Sequence, residues 1–155
     1  MTDPLRDASE SGWIADHREQ YLADGAAGHL FDTSFAGGPG LRPTLLLTTR
    51  GCKSGAESVM PLLYAEVDGG YAIIASKGGD SKHPGWYHNL KAMSGVKVQI
   101  ANAVFQAHAR VVAGAERARI WQEMAAMYPP FNDYQSTAAA TGQREIPVIV
   151  LEPVV

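Results

Sequence analysis

SVMPLLYAEVDGGYAII, residues 58–74, sets two apolar runs on either side of Asp68, Gly69 and Gly70. Asp-Gly and Gly-Gly suit tight antiparallel turns, whose central residues need positive φ. The stretch reads as a hairpin: one strand over 58–67, containing Pro61, paired with another over 71–76. That reading decides the fold, because the other strand-like runs extend the same antiparallel succession. PTLLLTT (43–49) precedes it across a two-glycine turn, RGCKSGAE. GVKVQIANAVFQAHARVV (95–112) alternates over two stretches, with Val96, Val98 and Ile100 on one face. IPVIVLEP (146–153) reads as a last strand, well placed to close the sheet. About six mostly antiparallel strands, with flanking helices, predict a small barrel that hides its edges. A doubly wound nucleotide fold is disfavoured, since it needs strand–helix alternation throughout.

The helices follow from period and punctuation. Trp13, Ile14, His17, Tyr21 and Leu22 fall at helical spacing within 10–24. Pro84 suits the first turn of a helix running to about Met93. Ala115–Met127 carries an apolar stripe of Ile120, Trp121, Met124 and Met127, and YPPFNDYQSTAAATGQ breaks at Pro-Pro before resuming as a short helix. No linker divides the 155 residues, so one domain is expected: an N-terminal helix and loop over 1–40, then a barrel core over 41–155.

Composition limits the partners. Thirteen basic against sixteen acidic residues give a net charge of −3, which argues against a general nucleic-acid binder and makes any polyanion site a local patch. Cys52 is the sole cysteine, so no internal disulfide or cysteine-based zinc site is available. The opening MTDPLRDASESGW lacks the basic start and apolar core of a signal peptide. The apolar runs fall far short of the ~20 residues of a membrane helix. The helix over 10–24 mixes Glu10, Asp16, Arg18, Glu19 and Asp24, so it has no basic face to support membrane association. A cytoplasmic location is expected. An oligomeric state is not legible.

Two turns concentrate cations and backbone donors. RGCKSG (50–55) carries Arg50, Lys53 and Ser54 between glycines, and ASKGGDSKHP (75–84) carries Ser76, Lys77, Gly78, Gly79 and Lys82. Such turns form concavities for anions, and two of them suggest a phosphate or carboxylate ligand. Tyr128, Phe131 and Tyr134 are spaced three apart, a pattern that serves either a core or an aromatic lid over a flat ligand. The five histidines are too scattered for a metal site, and no nucleophile elbow supports hydrolysis.

In order along the chain, LLTTRGCKSG, MPLLYAEVDGGYAIIASKGG, HPGWYHNLKAMSGVKVQI and MYPPFNDYQS…IPVIVLEP resemble the deazaflavin-dependent nitroreductase family, from about Tyr21 to Pro153. That family is similar to split β-barrel flavoproteins and uses coenzyme F420, a deazaflavin with a phospholactyl-oligoglutamate tail. The resemblance implies that Lys53 and Lys77, with Arg50, Ser54 and Gly79 beside them, meet the anionic tail. Ser58, Met60 and Pro61 would lie beside the deazaflavin. Ala75, Ser76 and Gly78 would offer backbone or hydroxyl contacts, and Trp86 would wall the site. Tyr128, Phe131 and Tyr134 would line the substrate, with Ser76, Tyr128 and Tyr134 as hydrogen-bond or proton donors in hydride transfer to a quinone, enone or nitroaromatic. Cys52 and Ser58 stand where the family commonly has arginine, and Phe131 where it commonly has tyrosine. Competing readings are the same barrel holding flavin mononucleotide or haem, and a non-enzymatic deazaflavin carrier or quinone- or lipid-binding module.

Overall fold

The computed structural model describes residues 12–154. Its elements are α1 (Gly12–Ala23), α2 (Gly25–His29), β1 (Leu30–Asp32), β2 (Leu41–Arg50), β3 (Glu57–Leu63), β4 (Ala65–Val67), β5 (Gly70–Ile74), α3 (Gly85–Ala92), β6 (Gly95–Ile100), β7 (Ala103–Val111), α4 (Gly114–Met127), α5 (Pro130–Gly142) and β8 (Val148–Pro153). Short 3-10 turns occupy Ser34–Ala36 and Lys77–Gly79. The helix expected over 10–24 is α1; positions 10 and 11 lie outside the described residues.

All strand pairs are antiparallel, in the order β1-β2-β6-β7-β8-β5-β4, with β3 also on β2. The hairpin lies where the glycines put it: Val67 faces Gly70, and Gly69 turns the chain at φ 82°. The strand expected over 58–67, however, is two strands meeting at Tyr64. β3 runs along β2, with Met60 opposite Leu47, and β4 runs along β5, with Ala65 opposite Ala72. One bent segment therefore links β2 with β5 and curls the sheet into a split barrel. Pro61 is tolerated because β3 pairs on one side only, so its missing N–H breaks no second ladder. β1, hidden in sequence among glycines, adds three residues opposite Leu41–Pro43.

Period-two alternation divides the core between two sides of the sheet. Ile73, Ile149 and Leu151 join Leu45, Leu47 and Val98 in a cluster that α3 covers with Trp86, Tyr87 and Leu90. Their neighbours Ala72, Ile74, Val148 and Val150 face Ile120 and Met124 of α4 together with Tyr128 and Phe131. Strands covered on both faces read as unbroken apolar runs, which explains VIVL at 148–151. The α4 stripe is borne out with a gradient: Ile120 and Met124 are buried, Trp121 and Met127 half-buried. At the N-terminus, Tyr21 is fully buried, and its hydroxyl donates to the Thr44 carbonyl at 2.9 Å and accepts the Ala101 N–H at 2.8 Å. That bond pair anchors α1 to β2 and to the β6–β7 turn.

Candidate active site

The turn after β2 is closed by backbone bonds from Gly51 N–H to the Ala56 carbonyl at 2.7 Å and from Gly55 N–H to the Gly51 carbonyl at 2.8 Å. It is also tied to α3. Asn89 is buried, donates from Nδ2 to Thr49 Oγ1 and accepts the Cys52 N–H at Oδ1, each at 3.1 Å. The second turn follows β5. Lys77, Gly78 and Gly79 all take left-handed φ values of 47°, 63° and 85°, a run that only glycine adopts without strain. Gly79 has a second constraint, because a Cβ there would lie 2.8 Å from the Tyr134 carbonyl oxygen.

The guanidinium of Arg144 lies beneath this turn. The chain leaves α5 through Gln143 at φ 51°, which brings Arg144 inward to 6% exposure. Nη1 donates to the carbonyls of Ser76 at 3.0 Å and Asp80 at 2.7 Å; Nη2 donates to the Ala75 carbonyl, and Nε to His83 Nδ1 at 2.7 Å. Burial lowers the Arg144 pKa, with Asp80 acting against it. Neither Asn89 nor Arg144 was expected from the sequence. Their partners lie 37 to 69 residues away, a distance that no local pattern encodes.

Both turns open on one cavity of about 700 Å³. Of the residues expected at the site, Ser54, Ser58, Met60, Pro61, Ser76, Lys77, Gly78, Trp86, Tyr128, Phe131 and Tyr134 line it. The other four lie beside it. Arg50 is exposed, 3.8 Å from Glu57, and Lys53 is exposed on the turn. Ala75 is fully buried, its carbonyl taken by Arg144, and Gly79 is buried against α5.

The aromatic end differs from a loosely tied lid. Tyr128 ends α4, and α5 begins at Pro130, so the three aromatics straddle a helix boundary. Tyr128 and Phe131 are only 5% and 4% exposed, with ring centroids 4.9 Å apart. The Tyr128 and Tyr134 hydroxyls meet at 2.8 Å. Burial first, then this bond, raises the Tyr128 pKa, so its phenol stays protonated at neutral pH.

A further wall was not foreseen. Trp13 and His17 of α1 and Phe31 and Phe35 also line the cavity, with His17 stacked on Phe31 at 4.2 Å. His17 Nε2–H donates to the Gly28 carbonyl at 2.9 Å, and burial lowers its pKa. Among the described residues there is no cluster of His, Cys, Asp and Glu suited to a metal ion.

A family model described as F420H(2)-dependent quinone reductase matches residues 23–153. An F420H(2)-dependent quinone reductase of Mycobacterium tuberculosis is 40% identical over 116 residues, covering 73% of this chain and 75% of that protein. A solved F420-H2 dependent reductase, FDR-A, superposes with a TM-score of 0.63 at 44% identity, over 72% of this chain and 95% of its own. A second solved chain, described as a domain-swapped dimer, gives a TM-score of 0.66 at 38% identity, over 90% of this chain and 97% of its own.

Proposed function

The chain belongs to the F420H2-dependent quinone reductase family, a hydride-transferring group of enzymes that use coenzyme F420, and from that premise we propose how its residues divide the work. Met60, Pro61 and Trp86 would flank the deazaflavin. Ser54, Ser58, Ser76, Lys77 and Gly78 would hold its phosphate-bearing side, while the exposed Arg50 and Lys53 would extend that side outward and Gly79 would seat the turn against α5. Ala75 lies behind the cavity, where its carbonyl receives Arg144. The fit rests on the cavity, whose volume of about 700 Å³ falls within the usual 300–1,000 Å³ of cofactor sites. It rests also on the donor set, where Lys77 and hydroxyls suit an anionic tail and an apolar wall suits a flat ring.

Reduced F420 supplies a hydride when bound. The residues then have three tasks: to stack the acceptor, to exclude water and to meet developing charge. Phe131 and the phenol rings offer the flat apolar surface. Hydride arrival leaves negative charge on a quinone or enone oxygen, or on a nitro group. The Tyr128–Tyr134 pair holds one proton between its oxygens and has a second to give. Ser76, which also lines the cavity, would offer that charge a further hydroxyl.

The observation that carries this reading is that both cationic turns and the phenol pair open on one cavity. Absorbance titration with F420, flavin mononucleotide and haem tests the first half, and F420 alone should bind with micromolar or better affinity. Single-turnover oxidation of reduced F420 by menadione, an enone and a nitroaromatic tests the second. Binding of F420 with turnover of none of the three would instead support a carrier. The reading places the chemistry in the cytoplasm with a small-molecule substrate. No helix among the described residues is long and apolar enough to cross a membrane.

A further inference from the structure

We propose that Arg144 is the positioning residue of the cofactor-binding turn: its guanidinium, bonded to the carbonyls of Ala75, Ser76 and Asp80 and to His83, sets the left-handed path of residues 77–79. The inference rests on the cofactor reading above. Three consecutive positive φ values, one of them at a lysine, are not a conformation the free chain holds. The bonds inside the turn are two, from Gly79 N–H to the Ser76 carbonyl at 3.0 Å and from Asp80 N–H to the Lys77 carbonyl at 3.1 Å. Arg144 adds four from outside, to acceptors on both flanks of the turn. A planar fork of fixed donors can hold carbonyls in one relative geometry, whereas an ammonium cannot.

The same bonds give the device a pH dependence. Nε is a permanent donor, so His83 Nδ1 must be unprotonated to accept from it. Burial, then Arg144, His88 and Lys91, lower the His83 pKa. The groups around it are Arg144, Tyr87 and His88, with ring centroids at 4.7 Å and 5.9 Å for the last two, and Lys91 on α3. Lys77, Lys82 and Glu145 share the adjoining hollow, and Asp80 faces Arg144. Because the folded pKa lies below the ordinary value near 6.5, the neutral form is the one that holds the clamp. The clamp is intact above that value and is lost as pH falls through the folded pKa.

Arg144→Lys keeps the charge and removes the fork. The expected result is an F420 dissociation constant raised at least tenfold, with kcat at saturating F420 changed less than threefold. In the unliganded protein, amides of 76–80 should exchange at least tenfold faster while those of β5 and β8 do not change. Unaltered affinity and exchange would overturn the proposal, as would an acceleration spread evenly over β5 and β8, which marks a merely structural role. If Arg144→Lys does not fold, His83→Asn provides the test, since its amide oxygen accepts without titrating. Wild-type affinity should fall between pH 7 and pH 5 more steeply than that of His83→Asn, and coincident profiles would overturn the clamp. A wild type that binds no F420 at any pH would overturn the cofactor reading, and this role with it.

Discussion

Two phenol oxygens 2.8 Å apart can share only one proton between them, so one of Tyr128 and Tyr134 donates and the other keeps a hydrogen for something else. Tyr134 is half-buried and Tyr128 buried, and both line the cavity, where the proposed reading has the pair supply a proton. Tyr134→Phe should slow quinone reduction by roughly tenfold under single turnover, less than the 10²–10⁴ of a lost general acid, because Tyr128 remains. F420 affinity should hold, and stability should fall by only about 1 kcal/mol. An unchanged rate would remove the pair from the chemistry. The two expected tail lysines are not equivalent either. Lys77 lines the cavity and Lys53 sits outside it on an exposed turn. Lys77→Ala should therefore weaken F420 binding more than Lys53→Ala does, and both losses should shrink at high salt as screening shortens to a few ångströms. Isothermal titration at two salt concentrations measures both, and a larger effect at Lys53 would reverse the assignment of near and far tail groups.

The elements that hold these side chains are joined by close backbone approaches, and one glycine makes the point. Gly79 combines φ 85° with a Cβ position 2.8 Å from the Tyr134 carbonyl oxygen and 3.1 Å from Thr137 Cβ. Gly79→Ala must strain the turn or push α5 away, at a cost of about 1–3 kcal/mol. Urea unfolding should show the lost stability, and quinone turnover should fall with it because α5 carries Tyr134. A neutral substitution would mean that α5 does not rest on the turn. At this scale the sequence was informative wherever chemistry is local. The Asp-Gly-Gly hairpin, Pro84 ahead of α3 and the alternation of β6 all have their cause within a few residues. The length of α5 was less legible, since Pro129 and Pro130 signal a break although proline is welcome in a first helical turn. Asn89 and Arg144 gave no signal, because a buried polar side chain is defined by the carbonyls it meets. The histidines read as scattered along the chain, but His83 precedes α3 and its ring meets that of His88 at 5.9 Å.

Across the whole molecule, the split barrel depends on a single joint. β3 belongs to β2 and β4 to β5, and only Tyr64 lies between them. This is why six strands are legible where the described residues hold eight: one bent run has the pattern of a single strand, and β1 is too short to show a period. Tyr64 is 6% exposed, meets the Tyr71 ring edge-on at 5.7 Å and bonds through its hydroxyl to His29 Nε2 at 2.9 Å. Burial, with the neighbouring Tyr21, Glu66 and Tyr71, pushes its pKa up to about 12, so the phenol stays neutral. The cavity draws Leu62 and Leu63 from the end of β3 at the joint and Ile74 from β5, so site and closure share β3. Tyr64→Phe should keep the ring packing and lose one hydrogen bond, for about 0.5–1.5 kcal/mol. Tyr64→Ala should leave a void at the joint and cost about 3–5 kcal/mol, a large part of the roughly 5–15 kcal/mol that holds a domain of this kind together. Urea midpoints and F420 titration, run on the same samples, compare the two effects. The alanine variant should lose affinity and stability together while the phenylalanine variant keeps its affinity. An alanine variant as stable as the phenylalanine one would mean that the strand ladders alone hold the barrel shut.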